Sequence, residues 1–358
     1  MFENLQFNKV TQNLSFDVKT EGLPIYNAIF NGLRRILITD IPIIGFLFDS
    51  DESTIDIEEN YTEQSNEYIQ HRIGMLVLNI DTTYIDNFDS TKNSIELDLD
   101  IKSTNDGMLT RNITTEDCII KIDNEIVKSS DVFPHDKVSK EPCLLLRLSP
   151  GDSLKLKATA IKSTCRQNSI FQSISGGAWI PKSNPNSVET EPLKRERDTI
   201  PGIYTFHFEN IVPKITHKYL FDKSIEIFIN KLNTLKIDMQ GNSTTTTSDI
   251  VSKITADDDT TFRIMIYNEN DTIGNIIQSY IYDNYVSTGK KFDGDRRCVF
   301  CGYAREDPLK NDVTIAFTFE GNKHEIVSVK TFLALICEEI VNTYLLGIKS
   351  EWNQFCTI

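Results

Sequence analysis

Pro24-Ile25-Tyr26-Asn27-Ala28-Ile29-Phe30-Asn31-Gly32-Leu33-Arg34-Arg35-Ile36-Leu37-Ile38-Thr39 is the stretch on which the fold turns. Pro24 suits a first helical turn, where its missing N–H costs nothing. Ile25, Ile29, Leu33, Ile36 and Leu37 then share one face at ~100° per residue, until Ile41-Pro42 stops the run. Asn27, Asn31, Arg34 and Arg35 gather on the opposite side. No Asp or Glu lies between Pro24 and Thr39, although acids outnumber bases 52 to 37 in the chain. The two arginines therefore lack an i±3 or i±4 carboxylate. Such a stripe is ordinarily the wet face of an amphipathic helix. The alternative is a contact surface, because planar guanidinium groups suit bidentate contacts to a partner's carboxylates.

Three further helices read outward from this one. Phe221, Ile225, Phe228, Ile229, Leu232 and Leu235 form a second stripe. Asp271 is a candidate N-cap for a third helix, with Ile273, Ile276, Ile277, Tyr280 and Ile281 inward. Ser328 could cap a fourth that carries Phe332, Leu333, Ile336, Ile340 and Tyr344 and stops at Gly347. Between them lie strands: the alternating Ile95–Ile101, then Tyr204–Phe208, Phe262–Ile266 and Val313–Phe319. Leu144–Leu148 and Leu154–Ala158 flank Ser149-Pro150-Gly151-Asp152 and read as a hairpin.

The expected class is α+β. Two related units each lay helices on one face of an antiparallel sheet and pair within the chain as a pseudo-dimer, since a unit of about 100 residues leaves helix faces uncovered. Residues 1–48 with 185–240 make the first unit, 49–184 an inserted β-rich domain, 241–258 a polar linker, and 259–358 the second unit. Pro181–Asp198 reads as a long surface loop.

The 358 residues are 39% hydrophobic and 25% charged, a globular composition that excludes collagen-like and wholly disordered classes. A formal net charge of −15 opposes direct binding to a phosphate backbone, so any role beside nucleic acid runs through partners. No apolar run reaches the ~18–20 residues of a membrane span, and the first residues do not read as a secretory signal. A cytosolic or nuclear location is the expectation. Of seven cysteines, Cys118, Cys143, Cys165, Cys337 and Cys356 stand singly, and only Cys298 and Cys301 form a C-x-x-C, inside a strand-like run. A structural zinc site wants four ligands, and His324 stands alone downstream, so buried small hydrophobes are the reading preferred over a metal or redox pair. No Ser/His/Asp signature, Gly-rich phosphate loop or Asp cluster for two-metal nucleotidyl transfer is visible. No cofactor, no metal and no catalytic residue is expected.

Asn27–Leu37 with Ile41-Pro42 resembles the opening helix of the alpha-like subunits of cellular RNA polymerases: bacterial alpha, archaeal D and the eukaryotic third-largest subunit. Asn66-Glu67-Tyr68-Ile69-Gln70-His71-Arg72-Ile73-Gly74-Met75-Leu76 looks like that family's "DEFIAHRLGLIPL" segment. Ile95–Ile101, Asn112–Asp117 and Gly151–Ala160 follow in the family's order. The second unit resembles archaeal L and its eukaryotic counterpart: Glu269-Asn270-Asp271-Thr272-Ile273-Gly274-Asn275-Ile276-Ile277 is close to "EDHTLGNLI", and Gly302-Tyr303 with Pro308-Leu309 to "GY…HP". Two departures stand out. Asn79–Ser94 holds no cysteine where many relatives carry a metal cluster, and the "DHT" histidine is lost, Asn270-Asp271-Thr272 standing there instead.

The resemblance implies a fused, non-catalytic assembly platform of a DNA-directed RNA polymerase, as in large DNA viruses. It would belong to the virion and infected cell, or otherwise to nucleus or cytosol. Asn27, Asn31, Arg34, Arg35, His71 and Arg72 are its candidate subunit-interface residues. Intrachain dimerisation is expected from Ile29, Leu33, Ile225, Ile229, Ile273, Gly274, Asn275, Ile277, Phe332 and Ile336. The implied partners are the second-largest, largest and small polymerase subunits, with no sequence-specific nucleic-acid contact and no membrane. The rival readings are a stand-alone viral structural or interaction protein that keeps the fold and, more weakly, a Cys298/Cys301 redox or metal protein.

Overall fold

A computed structural model describes residues 1–49, 52–103, 110–136, 138–182, 202–241, 252–256, 260–293, 296–307, 309–320 and 326–356. In chain order these form β1 (Phe2–Asn8), β2 (Asn13–Lys19), α1 (Pro24–Thr39), β3 (Ile43–Gly45), β4 (Ile55–Asn60), α2 (Asn66–Gly74), α3 (Thr82–Asn87), β5 (Ile95–Lys102), β6 (Arg111–Thr114), β7 (Ile119–Ile122), β8 (Glu125–Val127) and α4 (Ser129–Val132). There follow β9 (Leu144–Leu148), β10 (Ser153–Thr159), β11 (Ile161–Ser163), β12 (Ile174–Pro181), β13 (Ile203–Asn210), α5 (His217–Met239), β14 (Ser252–Ala256), β15 (Thr261–Tyr267), α6 (Asp271–Ile281), β16 (Lys291–Asp293), β17 (Arg296–Ala304), β18 (Asp312–Glu320), α7 (Ile326–Ile340) and α8 (Leu346–Phe355). Helices and antiparallel sheets are mixed, the α+β class.

One antiparallel sheet runs β1-β2-β13-β12 and another β14-β15-β18-β17-β16. In β13, Tyr204, Phe206 and Phe208 alternate inward, and Phe206 and Phe16 meet Phe221 of α5 edge-on. In β18, Val313, Ile315, Phe317 and Phe319 are buried, and α6 lies over β17 and β18. The four longer helices pack between the sheets: α1 on α5 and α6, α5 on α7. A third sheet, β4-β10-β5-β7-β8, keeps Leu97, Leu99, Leu154 and Leu156 inward. Its wet face is laced by Lys155 and Lys157 on Glu58 and by Lys121 on Asp98.

Gly32 and Gly274 mark where elements come closest. A Cβ on Gly32 would sit 3.0 Å from Cε1 of Phe228 and 3.2 Å from Cγ2 of Thr272, so α1 meets both α5 and α6 there. A Cβ on Gly274 would sit 2.9 Å from both Tyr303 Cδ2 and Val313 Cγ2, tighter than real contacts allow.

Several sequence expectations change. Leu144–Leu148 and Leu154–Ala158 do not pair as a hairpin: β9 bonds β6, whereas β10 lies between β4 and β5. Ile174–Pro181, placed in the 49–184 insertion, is the edge strand beside β13, where Trp179 stacks on Phe30 and Tyr204. Ser252–Ala256, placed in the 241–258 linker, pairs with β15 from Ser252↔Ile266 to Ala256↔Phe262, because an open sheet edge offers its backbone partners whatever the side chains are. The N-cap of α6 is Asn270, whose Oδ1 accepts from the Thr272 N–H at 2.9 Å; Asp271 occupies the first turn. Ser328 lies inside α7 (Ile326–Ile340).

Gly347 does not stop the last helix. A π-helical turn, Val341–Leu345, carries α7 into α8 as far as Phe355, and Trp352 docks into the Phe2, Phe16 and Phe221 cluster. By length and composition alone this continuous helix, Ser328–Phe355, is apolar enough to cross a membrane, with a mean hydropathy of 1.5 over its best window. Half of that window is buried inside the protein, with Phe332, Leu333, Ile336 and Ile340 in the core. The 183–198 part of the expected loop, residues 242–248, Asp257–Asp259 and Pro308 lie outside the described residues.

Candidate functional site

The apolar face of α1 is buried as expected at Ile25, Ile29, Leu33, Ile36 and Leu37, but burial extends to Ala28 and Phe30. The polar stripe is correspondingly narrow. Asn27 is exposed and its Oδ1 accepts from Trp179 Nε1 at 2.5 Å. Asn31 Oδ1 accepts from Arg34 Nε at 3.1 Å and Nη2 at 3.0 Å. Arg34 is half-buried and, among the described residues, meets no carboxylate. Burial first, and then the neighbouring Arg35, pulls its guanidinium below the usual range. Arg35 departs from expectation: its Nη2 lies 3.6 Å from Asp271 Oδ2 at the start of α6. Spacing along the helix does not reveal this partner, because Asp271 sits more than 200 residues further along the chain.

His71 and Arg72 lie on α2, which packs on β4 and β9. Ser65 caps that helix by accepting from Tyr68 N–H, and Ile69 and Ile73 are buried beneath it. His71 is exposed, its ring edge-on to Phe48 at 5.8 Å. Arg72 Nη2 donates to the Leu144 carbonyl at 2.5 Å, and its guanidinium stands 5.9 Å over the Tyr68 ring. Neither residue bonds to α1, so the six candidate interface residues fall into two groups rather than one.

Of the residues expected to join the two units, Ile29, Leu33, Ile225, Ile273, Ile277, Phe332 and Ile336 are buried among the helices, and Gly274 touches the sheet below α6. Ile229 and Asn275 are half-buried; Asn275 Oδ1 accepts from Ser279 in its own helix.

A buried charge network at the C-terminal end of α1 was not foreseen. Asp40, the C-cap residue, accepts from Arg166 Nε at 2.5 Å and Nη2 at 3.1 Å, and Lys231 Nζ lies 3.0 Å away. Arg166 Nη2 and Lys231 Nζ also reach Glu269, at 3.3 and 2.5 Å, and Arg166 Nη1 donates to the Asn268 carbonyl. The Asp40 and Glu269 side chains are only 5% and 2% exposed. Burial alone would raise the Asp40 pKa, but Lys231 and Arg166 outweigh it and hold the carboxyl below the usual range. One signal was available: an aspartate at a helix C-terminus opposes the macrodipole unless a cation answers it.

At the other end of α1, Leu23 supplies no side-chain cap and the first turn carries no acid. Burial raises the pKa of Asp283, in the π-helical turn after α6, against the lowering effect of the Ile25 N–H at this end of α1. Three carboxylates from beyond residue 260 thus address α1: Asp283 at its start, Asp271 at Arg35, and Glu269 through the cations at Asp40.

Cys298 and Cys301 are buried in β17, and burial pushes the Cys298 thiol up to about 12 and Cys301 higher still. Such thiols pack as small hydrophobes. Among the described residues no group of three or more His, Cys, Asp or Glu is placed to hold a metal ion.

Compared with models of known protein families, the chain matches none. Over 151 residues, 39% of this chain, it is 26% identical to DNA-directed RNA polymerase II subunit rpb3 of Dictyostelium discoideum. The match spans 46% of that relative's length.

Proposed function

We propose that this chain is a non-catalytic assembly subunit of a multisubunit DNA-directed RNA polymerase. The observation that carries the reading is the 151-residue similarity to subunit rpb3. Its finer form is a fusion of two alpha-like units, an earlier one that includes the β1-β2-β13-β12 sheet and a later one that includes the β14-β15-β18-β17-β16 sheet, paired as an intrachain pseudo-dimer of viral type. The packing of α1 on α6 and of α5 on α7, with Gly32 at the crossing, supports that pairing.

The mechanism is binding. The helices hold the two units together, and the outer face at Asn27, Asn31 and Arg34 recruits the second-largest subunit, followed by the largest and the small subunits. Arg34 supports this assignment because it is half-buried, charged and, among the described residues, answered by the Asn31 amide and no carboxylate, leaving guanidinium donors for an incoming carboxylate. His71 and Arg72 form a second contact on α2. The complex works in the nucleus or cytosol, or in the virion and infected cell.

Arg34→Glu tests the reading in a pull-down with the second-largest polymerase subunit, beside a thermal melt. The expected result is an unchanged melt and at least a tenfold loss of capture, since reversing one partner of an interfacial charge pair costs about 2–5 kcal/mol. Capture at the wild-type level would leave Arg34 as ordinary surface.

A further inference from the structure

The buried network divides its charges unevenly along the chain. Asp40, Arg166 and Lys231 all precede residue 240 and sum to +1; Glu269 follows and contributes −1. Without Glu269 the earlier residues enclose an unbalanced cation in a site where Lys231 is 16% exposed and Asp40 5%. With it, all four charges pair, and each cation bridges both acids. We propose that Asp40, Arg166 and Lys231 form a carboxylate receptor that selects the segment docking against α1 and α5, and that Glu269 is the side chain it selects. This rests on the paired reading above and names the residue that makes the pairing specific.

Two observations favour selection over general adhesion. First, the receptor's three residues pair with one another independently of Glu269: Asp40 holds Arg166 through two of its nitrogens and Lys231 through a third contact, and both donors reach the one Glu269 carboxylate. Second, the buried apolar residues of these helices (Ile225 and Phe228 of α5, Ile273 and Ile277 of α6) would accept many hydrophobic helices, whereas a buried cation rejects any segment lacking an acid at this position. Arg166 Nη1 on the Asn268 carbonyl adds a check on backbone position one residue before Glu269.

The test uses the full chain with a protease site placed within 244–247, cut after folding. Dissociation of the two fragments is followed on dilution for wild type, Glu269→Gln, Lys231→Gln and the double variant. Wild-type fragments should stay together. Either single variant, which strands a buried charge, should separate on the order of 100-fold faster. The double variant leaves the balanced Asp40–Arg166 pair and should return to within about tenfold of wild type. Wild-type fragments that fall apart at once would refute the paired reading itself. Fragments that stay together in wild type and singles alike would overturn the receptor while leaving the pairing intact, as would a double variant that loses as much as both singles combined. Should a single variant fail to fold, recovery of folding in the double variant supports the receptor and continued failure overturns it.

Discussion

Replacing Trp352 measures how firmly the C-terminal helix is tied to the β1-β2-β13-β12 sheet. Its indole is fully buried, with ring centroids 4.3 Å from Phe221, 5.0 Å from Phe16 and 5.4 Å from Phe2. Trp352→Ala deletes the indole from this cluster and should cost about 3–5 kcal/mol, the range for buried aromatic-to-alanine changes in close-packed cores. Trp352→Phe separates packing from polarity. Among the described residues the indole Nε1 is buried with no acceptor, and an unsatisfied donor costs about 1–3 kcal/mol. Removing it offsets the lost ring area, so the phenylalanine variant should lie within about 1 kcal/mol of wild type. Urea unfolding followed by circular dichroism gives both numbers, provided the slope against denaturant is unchanged. An alanine variant that costs less than 1 kcal/mol would refute the docking of α8. A phenylalanine variant as damaged as alanine would mean that the indole N–H has a partner.

Gly274→Ala must push Tyr303 and Val313 apart from 2.9 Å contacts; a loss of about 1–3 kcal/mol is expected in the same unfolding assay, and a neutral result would show that α6 does not lie that close to the sheet. Asp40 has a folded-state pKa below its unfolded value, so its contribution is present above about pH 4 and fades as pH falls through the lower folded value. The gap in melting temperature between wild type and Asp40→Asn should therefore narrow from pH 7 to pH 3, and a constant gap would contradict the ion pairing. Native protein treated with a thiol reagent should lose exposed Cys143 first and keep Cys298, Cys301 and Cys337 until it unfolds. Early labelling of Cys298 or Cys301 would revive their redox reading.

The long helices were legible because burial repeats every three to four residues: Ile25, Ile29 and Leu33, or Ile273, Ile276 and Ile277, announce a face without any knowledge of what covers it. Caps and ends were less legible. Asn270 and Asp271 are both good caps, and only backbone geometry separates them; Gly347 can end a helix but keeps helical backbone here because Trp352 beyond it has a core to enter. Pairing between strands was illegible for Leu144–Leu148, since a turn between two apolar runs says nothing about which sheet each will join. The network at Asp40 was least visible of all. Its contacting pairs lie 38 to 191 residues apart in sequence (Lys231–Glu269 and Asp40–Lys231), and each member taken alone reads as an ordinary surface charge. The exposed face at Arg34 lies between these cases: its polarity is written in the helix, but the tie of Arg35 to Asp271 is a product of the fold.

Purification of the tagged native chain from its source, with quantitative mass spectrometry of what accompanies it, tests the assembly role most directly. The largest and second-largest RNA polymerase subunits should accompany the wild-type chain in stoichiometric amounts and be lost with Arg34→Glu, while the chain itself remains folded. Recovery of the wild-type chain free of polymerase subunits would contradict that role.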